Sequence, residues 1–138
     1  MLTRLWTIGV KVPDLERELI FHRAIGNTVV LDETIQLDGE SFRVPLIRMG
    51  DKYMHVAEKM VYEKLLDYSL PCGITHVVYR SDSFDQDVQR SLDAGATLIR
   101  EVATVSAGFG ERRVAFFHAP GRWIFEIIEV LRDLVPEV

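Results

Sequence analysis

Three side chains in this sequence, those of His55, His76 and Glu126, are of the types that proteins use to hold a divalent metal ion. Two imidazoles and one carboxylate suit Fe, Mn, Ni or Zn, and they leave coordination positions for water and a substrate. Glu126 lies in the apolar run of residues 123–128, where a charged carboxylate is costly unless it is paired or bound to a cation. The three residues are far apart in the sequence, so only a particular fold can bring them together.

The elements that would position these residues occur in the same order twice. For the first half, alternation and turn residues predict a strand at 5–12, a helix from Asp14 to Gly26, and strands at 28–35, 42–49 and 52–58. For the second half they predict a strand at 73–80, a helix at 84–94, and strands at 97–102, 112–118 and 123–130. The order predicts an α+β fold, in which two βαβββ modules form curved mixed sheets around a central cavity with the helices outside.

An internal repeat supports the division into modules. Gly26 and Gly95 end the two predicted helices, and the interval between them is nearly the same as the interval between the turn glycines Gly50 and Gly121. We therefore predict a single domain with module one at about residues 1–59, a linker at 60–71, module two at about 72–130 and a surface tail at 131–138.

The repeat also indicates how the candidate ligands meet. The interval between the helix-ending glycines also relates Thr7 to His76, and the slightly longer interval between the turn glycines relates His55 to Glu126. If the modules pair about an approximate two-fold axis, equivalent positions come together near that axis. The four side chains are then predicted to point into one concave space. His55, His76 and Glu126 would hold the metal, with Glu126 also the candidate catalytic residue, and Thr7 would contact a bound water or the substrate.

Two basic residues extend this predicted site. Lys11 and Arg80 lie on the same predicted strand faces as Thr7 and His76, so either is a candidate contact for an anionic substrate. The arginines on the predicted strands are otherwise expected to be mostly solvated; they are Arg43, Arg48, Arg80, Arg112 and Arg113.

Composition limits the possible partners and compartment. The chain has 138 residues, 48% of them hydrophobic and 27% charged, as in an ordinary soluble domain. A net charge of −5 without a basic stripe argues against a nucleic-acid partner. No apolar run approaches the ~20 residues of a membrane span. The single cysteine, Cys72, cannot form an intrachain disulfide, which indicates a reducing cytoplasm.

The sequence resembles the vicinal oxygen chelate superfamily, which includes glyoxalase I, methylmalonyl-CoA epimerase, extradiol dioxygenases and the fosfomycin and bleomycin resistance proteins. The resemblance extends over nearly the whole chain and is carried by five short stretches: residues 8–16, 21–26, 73–76, 93–96 and 117–126. In that family the first and last strands of each module supply the metal ligands, which correspond here to Thr7, His55, His76 and Glu126. The resemblance also implies a homodimer, because relatives often build the cavity between chains.

The chain departs from the family pattern at two ligand positions. The first-strand position, commonly His or Gln, is Thr7, and the position that is often Glu or Gln is His55. The leading hypothesis is a metal-dependent lyase, isomerase or dioxygenase that acts on a small oxygen-rich substrate. No general base is evident, since neither Glu40 nor Glu58 corresponds to one. The alternatives are a metal-free protein that sequesters a drug or metabolite, and an accessory module without a small ligand.

Overall fold

The computed structural model of the chain describes residues 1–107 and 110–134. The elements of the first half are β1 (Leu2–Lys11), α1 (Leu15–Ala24), β2 (Thr28–Leu31), β3 (Thr34–Leu37), β4 (Glu40–Arg43), β5 (Leu46–Met49) and β6 (Lys52–Ala57). A 3-10 helix (Glu63–Leu65) is followed by β7 (Gly73–Ser81), α2 (Phe84–Asp93), β8 (Thr97–Ala107), β9 (Gly110–His118) and β10 (Ile124–Asp133). Residues 131–133, predicted as tail, thus continue the last strand, and residues 135–138 lie outside the described residues.

Eight of these strands form one mixed sheet in the order β2-β5-β6-β1-β7-β10-β9-β8. The central strands β1 and β7 are antiparallel, and each is parallel to the last strand of its own half, β6 or β10. The two modules therefore join through β1 and β7 within one chain. The predicted fold class, an α+β fold of two modules with a curved mixed sheet, is confirmed.

The strand register repeats between the halves. Thr7 on β1 is paired with Tyr53 on β6, and His76 on β7 is paired with Ile124 on β10. Thr7 and His76 are separated by the same number of residues as Gly26 and Gly95. Tyr53 and Ile124 are separated by the same number as the turn glycines of the two modules. The structure thus contains the repeat at the level of individual residue pairs.

A capping side chain begins the first helix, and a glycine follows the end of each helix. The Asp14 carboxylate caps α1 by accepting a hydrogen bond from the Arg17 backbone N–H, as predicted for that position. After α1 the chain passes through Gly26 at φ +94°, and after α2 through Gly95 at φ +102°. A residue with a side chain is strained in this left-handed conformation, so glycine is favoured at both helix ends.

Two predicted strands of the first half are each divided in the structure. The strand expected at 28–35 is interrupted between β2 and β3, and the one expected at 42–49 is interrupted at Val44-Pro45. Pro45 has no N–H to give to a sheet, and the Val44 N–H donates instead to the Glu33 carbonyl at 2.8 Å. As a result β3 and β4 leave the main sheet and form a separate hairpin.

The two faces of the sheet have different roles. The helices cover one face, where Leu15 and Leu19 of α1 and Phe84 of α2 are buried against the strands. The largest apolar cluster is on the other face and includes Trp6 of β1 and residues of the β3–β4 hairpin. This second face contains the cavity. Within the described part of the chain, no helix has the length and apolar character needed to cross a membrane.

Candidate functional site

A cavity of about 90 Å³ lies between the main sheet, the β3–β4 hairpin and the segment that follows β6. Apolar side chains form most of its wall. Five side chains that can donate or accept hydrogen bonds also line it: His55, Tyr62, His76, Arg112 and Glu126. A mainly apolar pocket with a few convergent polar groups is the usual form of a small-molecule site. The structure therefore brings the three predicted metal ligands to one cavity.

The His76 ring is fixed on both sides. Its Nδ1 lies 2.9 Å from the Tyr62 hydroxyl and 3.0 Å from Thr75 Oγ1. Its Nε2 faces Glu126 Oε1 at 3.6 Å. The ring lies directly over Gly9, where an added Cβ would be 2.2 Å from the imidazole Cε1. Glycine at position 9 is therefore what makes room for this histidine.

Burial sets the protonation of the polar groups. It raises the pKa of Glu126 to about 8 and lowers the pKa of His76 to about 3. Burial, and to a lesser extent the positive charge of Arg112, lowers the pKa of His55 to about 4. Near neutral pH both imidazoles are uncharged, as a metal ligand must be, and Glu126 holds a proton unless a cation is close.

His55 lies on β6, with its ring 6.0 Å from that of Trp6 in an edge-on arrangement. It is paired with Gly9 across β1 and β6, while His76 is paired with the same glycine across β1 and β7. Among residues 1–107 and 110–134, however, no three His, Cys, Asp or Glu side chains are grouped closely enough to hold one ion. The donor chemistry of His76 and Glu126 fits a divalent metal, because an oriented neutral imidazole nitrogen faces a carboxylate.

Two of the predicted substrate contacts lie outside the described cavity wall. Thr7 is buried, and its hydroxyl donates to the Ile8 carbonyl at 3.2 Å. Arg80 is half-buried, and its guanidinium is 3.9 Å from the Asp133 carboxylate. The sequence placed both on the correct strands, but the side chains are directed to other partners.

Lys11, the third predicted contact, lines a different pocket, an outer groove of about 330 Å³. Its ammonium donates to Glu63 Oε2 at 2.6 Å and to the Leu70 carbonyl at 2.9 Å. Met60 lines both this groove and the central cavity. Lys11 thus fastens the 60–70 segment that covers the cavity.

Two residues of the cavity were not predicted. Tyr62 belongs to the expected linker, yet it is fully buried, and burial raises the pKa of its hydroxyl. Arg112 was expected to be solvated, but it is only 1% exposed. The alternation of Arg112, Val114 and Phe116 along β9 places all three on the cavity face, so this pattern would have identified the arginine.

Comparison with solved structures identifies the class of fold. A variant of methylmalonyl-CoA epimerase from Streptomyces coelicolor, in complex with 2-nitronate-propionyl-CoA, matches with a TM-score of 0.70 and 21% identity, covering 95% of this chain and 99% of the epimerase. The epimerase from Mycobacterium tuberculosis matches with a TM-score of 0.66 and 23% identity, over 94% and 89% of the two chains. The chain thus has the vicinal oxygen chelate fold that its sequence resembles.

A third match concerns part of a larger protein. A xylose isomerase-like TIM barrel/4-hydroxyphenylpyruvate dioxygenase fusion protein matches with a TM-score of 0.65 and 15% identity, covering all of this chain and 27% of the fusion. No protein-family model and no curated protein sequence matches the chain. At these identities the likeness establishes the fold, and the chemistry must be argued from the residues of the cavity.

Proposed function

We propose that the protein is a metal-dependent enzyme of the vicinal oxygen chelate type, which acts on a small oxygen-rich substrate in the central cavity. The contact between His76 Nε2 and Glu126 Oε1, 3.6 Å apart and buried, is the observation that carries this proposal. Because the facing His76 ring is uncharged near neutral pH, ionising the buried Glu126 carboxyl costs free energy. A bound cation would offset that cost.

In this proposal His76 and Glu126 hold the ion. His55 lines the same cavity and becomes the third protein ligand when its side chain turns toward them, since the three are not grouped closely enough as they stand. A bound Fe, Mn, Ni or Zn would act as a Lewis acid toward the substrate oxygens. Tyr62 and Thr75 keep the His76 ring in one orientation. The apolar wall of the cavity limits the access of water. The reaction class we propose is that of a lyase, isomerase or dioxygenase, with Glu126 as the catalytic carboxylate.

Elemental analysis of protein purified without a histidine tag tests this proposal. We expect one metal ion per chain, and its loss in His76→Ala and Glu126→Gln. His118→Ala is the matched control, because His118 is bonded to the Tyr68 hydroxyl away from the cavity and should leave the metal content unchanged. Wild-type protein that stays metal-free after reconstitution with Fe, Mn, Ni and Zn would overturn the proposal.

A metal-free binding protein of the same fold is the second candidate. Two observations favour it: the described residues contain no ready three-ligand cluster, and the cationic side chain of Arg112 shares the cavity. This candidate predicts that the metal-free protein binds its ligand and that reconstitution with metal leaves the affinity unchanged.

We further propose that the protein is a cytoplasmic homodimer. Leu5 on β1 and Ile74 on β7 are 54% and 72% exposed, and apolar side chains exposed on the central strands are suited to contact with a second copy. Light scattering on the purified protein should give twice the mass of the chain, and the mass of a monomer would contradict this.

A further inference from the structure

Arg112 is a buried cation in the wall of the central cavity. It lies on β9, with Val114 and Phe116 on the same face of the strand. Its guanidinium carbon is 5.5 Å from the centre of the Trp6 ring, and the Trp6 ring in turn contacts that of His55. The positive charge is therefore close to the predicted metal ligands rather than at the protein surface.

The surrounding chain is shaped to hold this guanidinium. Its Nη1 donates to the Arg132 carbonyl at 2.7 Å, and its Nη2 donates to Asp133 Oδ1 at 3.1 Å. A Cβ on Gly110 would be 2.5 Å from Nη1 and 2.0 Å from the Arg132 oxygen, so only glycine leaves the necessary space. These contacts fix the direction of a side chain that would be costly to bury for packing alone.

The charges on the cavity wall favour an anionic ligand. Of the described lining residues, Arg112 is the one lysine or arginine and Glu126 is the one acidic residue, while Asp133, which is not a lining residue, pairs with Arg112. With the divalent ion of the proposed function in place, the positive charges of the ion and Arg112 still exceed the negative charges of an ionised Glu126 and Asp133. A carboxylate offers the planar pair of oxygens that a guanidinium binds best.

We propose that Arg112 binds the carboxylate of the ligand, and that the cavity takes short-chain carboxylic acids. Most of the remaining wall is apolar, and at about 90 Å³ the cavity is far smaller than the roughly 300 Å³ or more of a drug-sized site. The ligand is thus a small anion with an apolar remainder. The inference rests on the proposed function for the choice of cavity and deepens it by naming the substrate class.

Calorimetric titration with butyrate and with its neutral isostere butyramide tests the assignment. Wild-type protein should bind butyrate at least roughly tenfold more tightly than butyramide, because a hydrogen bond between two charged groups is stronger than one to a neutral amide. Arg112→Met should remove this preference and leave butyramide binding unchanged. Arg113→Met is the matched control, since the neighbouring Arg113 pairs with Glu129 and packs over Phe84 on the helix-covered face.

Equal affinity of the wild-type protein for butyrate and butyramide would overturn the inference, and this comparison needs no variant. A butyrate preference that persists in folded Arg112→Met would also overturn it. Titrations on metal-free and metal-loaded protein separate the two proposals. Butyrate bound through Arg112 in a protein that never takes up metal would uphold this inference and overturn the metal-dependent function, and a metal-loaded protein without the preference would do the reverse.

Discussion

The two modules share one backbone plan but carry different chemistry at equivalent positions. In the second module the first and last strands supply His76 and Glu126, which face each other in the cavity. In the first module the equivalent positions are Thr7, whose hydroxyl is bonded to a backbone carbonyl, and His55. The repeat thus determines which strand positions face the cavity, and the residue type at each position determines whether a metal ligand is present there.

The residues opposite His76 and Thr7 differ in size, and both lie where β1 of the first module pairs with β7 of the second. On β1 and β7, His76 is paired with Gly9, and Thr7 is paired with Val78. These two pairs occupy equivalent places in the repeat. The large imidazole requires a residue without a side chain opposite it, whereas the smaller threonine allows a valine. A histidine in the second module is therefore tied to a glycine in the first.

The largest expected effect is on the pH dependence of stability, where His55 and Glu126, the equivalent residues of the two last strands, should act in opposite directions. Burial raises the pKa of Glu126 from 4.5 to about 8, so the metal-free folded state favours the protonated form. Its stabilising contribution is complete below pH 4.5 and is lost as the pH rises to about 8. The full loss is roughly 5 kcal/mol, since each pKa unit corresponds to about 1.4 kcal/mol.

His55 should act in the opposite direction. Burial lowers its pKa from 6.5 to about 4, so its contribution is complete above pH 6.5 and is lost as the pH falls toward 4. Burial of His76, whose pKa falls to about 3, adds to the same acid limb. Urea unfolding of chelator-treated protein from pH 4 to 9 measures both limbs. Glu126→Gln should flatten the alkaline limb and leave the acid limb. An alkaline limb of the same slope in Glu126→Gln would contradict the assignment to this carboxyl.

The second prediction concerns the space that Gly9 leaves for the His76 ring. Gly9→Ala places a methyl group 2.2 Å from the imidazole Cε1, so the ring must leave its position over β1. We expect a loss of about 2 kcal/mol in the free energy of unfolding, as for other overpacked cores, together with reduced metal uptake.

Gly121→Ala is the control for this substitution. Its Cβ would be 3.5 Å from the nearest atom of Trp123, an ordinary contact, so the variant should stay within about 0.5 kcal/mol of wild type. Chemical denaturation of both variants, with histidine ring NMR signals to follow His76, makes the comparison. An unchanged His76 signal in Gly9→Ala would show that the ring does not depend on the glycine.

Much of the fold could be predicted because its determinants are local. Strand alternation, the Asp14 cap and the glycines that end the helices depend on neighbouring residues, and the cap and both glycines were found where the sequence placed them. The repeat then predicted a common cavity for His55, His76 and Glu126, and the structure places them in one. The pairing of β1 with β7 shifts in register just before Thr7 and just after Gly9. These shifts depend on the contact between distant strands, so no local sequence pattern indicates them.

The cover of the cavity could not be predicted in the same way. Tyr62 reaches His76 from a segment without regular periodicity, and the β3–β4 hairpin forms a sheet of its own, whereas β8 and β9 pair within the main sheet. The two modules therefore differ in both features among the described elements, so the repeat gave no information about them. Arg112 was missed for another reason: arginine is rarely buried, and this prior outweighed the alternation of its strand.

The smallest expected effect compares two tyrosine–histidine pairs, one in the cavity and one at the surface. Tyr62→Phe removes the hydroxyl 2.9 Å from His76 Nδ1 and should cost about 1 kcal/mol of stability and roughly tenfold in metal affinity, because the imidazole loses a partner that orients it. Tyr68→Phe removes a hydroxyl 2.8 Å from His118 Nε2 in an exposed pair, where water replaces it, so both quantities should stay near wild type. Competition titration with a zinc-sensitive dye and thermal unfolding measure the two. Equal effects of the two substitutions would mean that the buried hydroxyl does not orient His76, and the second module would then hold its histidine through Gly9 and Thr75 alone.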